Sequence, residues 1–169
     1  MKYLLESGDV EPAIVIIGEA TQGDVCIGHR GRAELEVVLS GEAGHASVPD
    51  RAANALDLLG DALAAVHDLA EAQGSDEVLG ASSLVTTMVN VLPETRNVIP
   101  DQVVMAIDWR ILPTDSDESL VARVRAAVEQ RIPELPSGLS FEVRMATEHQ
   151  VTYTGLVADR NLFTPGFLM

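Results

Sequence analysis

The stretch Arg32-Ala33-Glu34-Leu35-Glu36-Val37-Val38-Leu39-Ser40 decides the fold. Ala33, Leu35, Val37 and Leu39 fall on one face; Glu34, Glu36 and Ser40 fall on the other. A period of two predicts a half-buried strand. Beyond it, residues 41–49 form a loop with two glycines, Gly41 and Gly44. Residues 54–73 then place Ala55, Leu58, Leu59, Ala62, Val66, Leu69 and Ala70 at spacings of three and four, which predicts a helix. Asp50 precedes it as a candidate cap, and Gly74 ends it. Residues 82–92, rich in Val and Thr, read as a strand, and 93–100 as a turn. Residues 102–112 alternate again, with Val103, Met105, Ile107, Trp109 and Ile111 on one face and Asp108 and Arg110 on the other. Asp115 and Glu118 predict a capping-box start for a helix over 116–132. Its apolar face is Leu120, Val121, Val124, Val128 and Ile132, and Pro133 and Pro136 stop it. A last strand, 139–145, turns Phe141, Val143 and Met145 inward.

The order is strand, helix, strand, strand, helix, strand. It predicts an α+β, ferredoxin-like β-α-β-β-α-β sandwich: a four-stranded antiparallel sheet with two helices on one face. The face carrying Glu34, Glu36, Asp108 and Arg110 stays open. Residues 13–17 are a short apolar run of the kind found in parallel sheets. The expected division is 1–30 as a stub of an α/β domain, 31–148 as the sandwich, and 149–169 as a stub returning to that second domain.

Composition narrows the function. Of 169 residues, 26 are acidic and 11 basic, a net charge of −15. That opposes binding to nucleic acid, whose phosphates call for Lys and Arg, and to an anionic membrane. The hydrophobic share of 47% is enough for a core. A single cysteine, Cys26, excludes an intramolecular disulfide and a cysteine-built zinc site. No signal peptide is evident, and no apolar run approaches the ~20 residues that span a bilayer, so a cytoplasmic location is expected. Ten of the basic residues are Arg and only Lys2 is Lys. Adaptation to high salt and GC-rich codon usage both account for that bias.

Three places could carry chemistry. His45, in Gly41-Glu42-Ala43-Gly44-His45-Ala46-Ser47-Val48-Pro49, sits among small residues where backbone can approach a ligand, and can donate to an oxyanion or move a proton. Taken alone, it reads first as a solvated loop histidine. Ser47 lacks a base–acid pair that would make it a nucleophile. Asn97, in Asn97-Val98-Ile99-Pro100, offers a donor and an acceptor. Arg110 can hold a carboxylate in a bidentate fork, or simply pair with Asp108. Glu19 follows the 13–17 run, where α/β sheets keep their active sites, and a carboxylate there can ligate a metal. One carboxylate makes no site, because catalytic zinc takes about three protein ligands. His29, His67 and His149 show no metal spacing.

Taken in order, Glu19-Ala20-Thr21, Gly28 to Gly31, Gly41-x-x-Gly44-His45-x-x-x-Pro49, Asn54-Ala55, Asn97-Val98-Ile99-Pro100 and Asp108-x-Arg110 with Pro113 resemble the middle of a co-catalytic zinc hydrolase. That family includes acetylornithine deacetylase, succinyl-diaminopimelate desuccinylase, aminoacylase and the glutamate carboxypeptidases. The resemblance implies a lid, or dimerisation, domain of ferredoxin-like fold inserted into a catalytic domain with two zinc ions. It implies Glu19 as a metal ligand, and His45 reaching into the partner subunit to polarise the scissile carbonyl. Asn97 and Arg110 would position the substrate, with Arg110 on its carboxylate. The helix over 54–73 and its neighbouring edge strand would form a homodimer contact. The substrate would be an N-acyl amino acid or a peptide. Ala20 stands where the family has proline, and Leu92-Pro93-Glu94 replaces a usual glycine pair. The family's His-x-Asp segment, bridging Asp, Glu-Glu pair and final His are absent from these 169 residues. The chain alone is therefore expected neither to hold two zinc ions nor to hydrolyse. The alternative reading is a free-standing ferredoxin-like module that binds a small ligand or only dimerises.

Overall fold

The structure is a computed structural model. It describes residues 7–8, 22–25 and 28–146, and the backbone of four short strands between 148 and 167. The 13–17 run, Glu19 and Cys26 lie outside the described residues.

Four strands and two helices make the body: β1 (Gly31–Ser40), α1 (Leu59–Glu71), β2 (Ser83–Leu92), β3 (Gln102–Ile111), α2 (Asp117–Arg131) and β4 (Ser140–Met145). β1 pairs antiparallel with β3 from Gly31↔Ile111 to Ser40↔Gln102. β3 pairs antiparallel with β2 from Ser83↔Arg110 to Leu92↔Gln102, with a bulge between Thr86 and Met88. β4 lies antiparallel on the other edge of β1, from Leu35↔Met145 to Ser40↔Ser140. The order is therefore β4-β1-β3-β2. Each helix links two strands that run parallel with a third strand between them. A short strand, Leu162–Phe163, continues the β4 edge by pairing with Ala33 and Arg32. The hairpin of Glu148–Val151 with Val157–Arg160 precedes it.

The alternation read in the sequence places the core. Ala33, Leu35, Val37 and Leu39 of β1 and Val103, Met105, Ile107, Trp109 and Ile111 of β3 are buried under the two helices. α1 adds Ala62, Ala65 and Val66; α2 adds Leu120, Val124 and Val128. A buried apolar side chain of this size stabilises the fold by about 1.5–3 kcal/mol.

The helix starts differ from the sequence reading. Asn54, not Asp50, is the cap: its side-chain oxygen accepts from Leu56 N at 3.1 Å, and residues Ala55–Leu58 form a 3-10 turn before α1 begins. Asp50 lies in a separate turn, Pro49–Arg51, whose start proline pre-sets. At α2 the capping box is Ser116 with Ser119. Asp115 instead accepts from Leu112 N at 2.8 Å and from Arg123 at 3.1 Å. Glu118, in the first turn of α2, has its carboxyl held below the usual range by its own backbone N–H and by the Ser116 hydroxyl.

One polar cluster is sunk in the apolar body. Trp109 Nε1 donates to Ser82 Oγ at 3.0 Å and to Gln73 Oε1 at 3.2 Å. Arg123 donates to the same Gln73 oxygen at 2.9 Å and lies over the Trp109 ring, 4.5 Å from its centroid. Ser82 Oγ donates onward to the Arg110 carbonyl at 2.8 Å. These bonds tie the ends of α1 and β3 to the starts of β2 and α2. They also satisfy the indole N–H, which would otherwise cost about 1–3 kcal/mol when buried.

Candidate functional site

His45 and Asn97 are brought together by a two-residue ladder. Gly44 pairs with Ile99 and His45 with Val98, and Ala46 N donates to the Asn97 carbonyl at 3.0 Å. The segments read from sequence as a loop and a turn are thus two halves of one small sheet. It is anchored to the body at both sides. Gly41 N donates to Asp101 O at 2.7 Å, and Ala55 N donates to Pro100 O at 3.0 Å. Glu42 and Ala53 exchange backbone hydrogen bonds of 2.8 and 3.0 Å.

The glycines answer to the packing of the body. A Cβ on Gly41 would lie 2.1 Å from the Ala53 carbonyl oxygen, and one on Gly44 would lie 2.6 Å from the Ala52 Cβ. Only glycine lets the loop pass that close.

The His45 ring is exposed but oriented. Its Nδ1 accepts from Ser47 N at 3.2 Å and lies 2.7 Å from Ser47 Oγ. Accepting from that N–H needs the Nδ1 lone pair, and in that tautomer Nε2 carries the proton. Nε2–H is then a donor, the form an oxyanion contact requires. Ser47, discounted as a nucleophile, is the residue that holds the ring. The Asn97 side chain is exposed and has no partner among the described residues.

Arg110 is elsewhere. It sits near the far end of β3, eight residues past Gln102. At about 3.3 Å per residue that is roughly 26 Å of strand from the end that carries His45 and Asn97. Its Nε lies 3.0 Å from Asp108 Oδ1, on the sheet face the helices leave open. Asp108 Oδ2 accepts from Arg32 Nε at 2.6 Å, and Arg32 also pairs with Glu34. A sequence reading sees the Asp108–Arg110 pair but misses Arg32, which comes from another strand.

Among the described residues no three His, Cys, Asp or Glu side chains converge on a cation-sized site. Nor is any helix there long and apolar enough to cross a membrane.

A further surface feature emerges at the β2 edge. Among the described residues β2 has no neighbour on its outer side. It exposes Val85 (56%), Met88 (50%), Val89 (36%) and Leu92 (43%). Beside it, the exposed residues of α1 and the turn before it include Leu56 and Leu63. The signal for this surface is in the sequence: β2 has apolar residues at both odd and even positions, the pattern of a strand covered on more than one side.

Comparison with known proteins places these features. The pattern of the family described as peptidase dimerisation domain matches residues 27–136, more than half of the chain. The succinyl-diaminopimelate desuccinylase of Granulibacter bethesdensis is 30% identical over 141 residues, 79% of this chain and 36% of that protein. An uncharacterized Escherichia coli K12 protein, YgeY, is 27% identical over 97% of this chain and 39% of its own length. The chain thus spans about two fifths of the curated relatives it matches. Among solved structures, an amidase of the hydantoinase/carbamoylase family from Burkholderia vietnamiensis superposes with a TM-score of 0.54 at 19% identity, covering 83% of this chain and 30% of that one. That likeness speaks to fold alone.

Proposed function

The chain belongs to the peptidase dimerisation domain family, and from that premise we propose that it is the dimerising lid of a metal-dependent amide hydrolase whose catalytic portion lies outside the described residues. The observation that carries this reading is the apolar, unpaired β2 edge beside α1. An exposed strand edge of this kind is a template for pairing with another chain. Two copies that pair β2 with β2 about a two-fold axis cover Val85, Met88, Val89 and Leu92 and satisfy both edges.

That arrangement also accounts for the separation of the candidate site residues. β2 runs from the Arg110 end of the sheet to the Gln102 end. In an antiparallel two-fold pair, the Arg110 end of one protomer lies beside the Gln102 end of the other. Three strand spacings of about 4.8 Å then separate one β3 from the partner's β3, roughly 14 Å, which long side chains and the His45 loop can bridge. The site is composite: Arg110 from one protomer, His45 and Asn97 from its partner. Arg110 takes the substrate carboxylate, Asn97 hydrogen-bonds the amide, and the outward Nε2–H of His45 donates to the oxyanion of the tetrahedral intermediate. The substrate class is an N-acyl amino acid or peptide with a free carboxylate, in keeping with the desuccinylase relative.

The described residues do not fit a zinc site, so none of these roles runs through a metal. Glu19, a ligand by resemblance, lies outside the described residues. The division at 30 and 148, with the flanks belonging to a catalytic domain, is part of the same proposal, as is a cytoplasmic homodimer.

Subunit complementation tests the composite site in the full-length hydrolase. His45→Ala and Arg110→Ala variants, each inactive alone, are mixed under exchange. Half the dimers are then mixed, each with one intact site, so about a quarter of wild-type turnover should return. If both residues served one site within a protomer, no activity would return and the reading would fail.

A further inference from the structure

The open sheet face holds an arrangement that pairing statistics disfavour. Arg32 of β1 lies directly opposite Arg110 of β3, and Glu34 lies directly opposite Asp108. Like charges directly opposite on a sheet repel. The clash is resolved along one diagonal: Asp108 Oδ2 accepts from Arg32 Nε at 2.6 Å, while its Oδ1 lies 3.0 Å from Arg110 Nε. Glu34 takes a second edge of Arg32. Asp108 therefore has both oxygens engaged, each by a guanidinium.

Exposure sorts the group by depth. The Asp108 side chain is 12% exposed and that of Arg110 47%. The carboxylate is sunk and the guanidinium stands above it. A guanidinium offers a fork of five N–H donors in fixed geometry. Holding Arg110 by Nε leaves its Nη1/Nη2 edge, the other bidentate edge, turned away from Asp108.

We propose that Asp108 is a positioning residue: it fixes Arg110 by Nε so that the Nη1/Nη2 edge presents a preformed fork to a ligand carboxylate, while Arg32 occupies the other Asp108 oxygen and offsets its charge. The chain thereby selects ligands with a free, planar carboxylate over their neutral esters. This rests on the reading of Arg110 as the carboxylate-binding residue.

The test uses the full-length hydrolase, an N-acyl amino acid and its methyl ester. The measured quantity is the preference for acid over ester in kcat/KM. Asp108→Ala should reduce that preference about tenfold or more, mainly through KM for the acid. A merely structural role would lower turnover of acid and ester alike and leave the preference unchanged, which would overturn the proposal. Asp108→Asn fills the same volume and carries the test if the alanine variant does not fold. It should shift the preference in the same direction by less, and an unchanged preference again overturns the idea. Arg110→Ala distinguishes the two levels. If it too leaves the preference intact, the reading of Arg110 fails; if it abolishes the preference while both Asp108 variants keep it, only the positioning role fails.

Discussion

At the scale of the residue, His45 owes its placement to groups that are not themselves chemical. Ser47 hydrogen-bonds the ring, and Gly41 and Gly44 let the loop pass within contact of Ala52 and Ala53. The sequence marks His45 by its glycine-flanked setting but does not show the packing reason for the glycines, since Ala52 and Ala53 are eight residues or more along the chain from Gly44. A direct check follows. Gly44→Ala puts a Cβ 2.6 Å from the Ala52 Cβ. Overpacking of that kind costs about 1–3 kcal/mol, and in the full-length hydrolase proposed above it should also displace His45 and lower kcat. Adding Ala52→Gly removes the opposing carbon. Thermal unfolding and turnover of the double variant should recover towards wild type. If the two changes are simply additive, the contact does not govern the loop.

At the scale of the element, the sequence located the helices and strands because burial follows their periods. β1 and β3 alternate as read, and the buried face of α2 is Leu120, Val124 and Val128 as read. Helix starts shifted because several residues near each start can cap. Which one does depends on where the preceding strand delivers the chain. The outward side of α1 was not legible in that way. Leu56, Gly60, Leu63 and His67 fall on one exposed stripe, with Leu56 in the turn just before the helix. A Cβ at Gly60 would meet nothing in the protomer. Its own fold therefore makes no demand for glycine there, whereas close approach of a second α1 would. Gly60→Ala should stabilise the isolated protomer by up to about 1 kcal/mol through helix propensity. Gly60→Glu should leave the protomer folded by circular dichroism yet shift the proposed dimer to monomer in sedimentation. A Gly60→Glu variant that sediments as wild type would remove α1 from the interface.

At the scale of the whole molecule, charge is the dominant fact. Arg32, Arg110, Arg123, Arg131 and Arg144 each pair with a carboxylate, yet 26 acidic residues against 11 basic leave the surface strongly negative. Self-repulsion destabilises the compact state, and the Debye length falls from about 10 Å at 0.1 M salt to about 3 Å at 1 M. The melting temperature should therefore rise between low and molar sodium chloride. Equal values at both ends would show that the acidic excess is too dispersed to matter and would favour codon usage as its origin.

The sequence alone made legible the order and type of the four main strands and two helices, the buried faces of β1, β3 and β4, and a set of candidate site residues. It could do so because hydrophobic period, capping and turn chemistry act over a few neighbouring residues. It did not determine the register between strands, and the proposed site turns on that. Register sets Arg32 against Arg110 and Asp108 between them. The ladder of Gly44–His45 with Val98–Ile99 joins two segments some fifty residues apart. The strand order leaves β2 and its apolar side chains at an edge, and puts Arg110 at the opposite end of the sheet from His45. Those relations depend on long-range pairing, which no local pattern encodes.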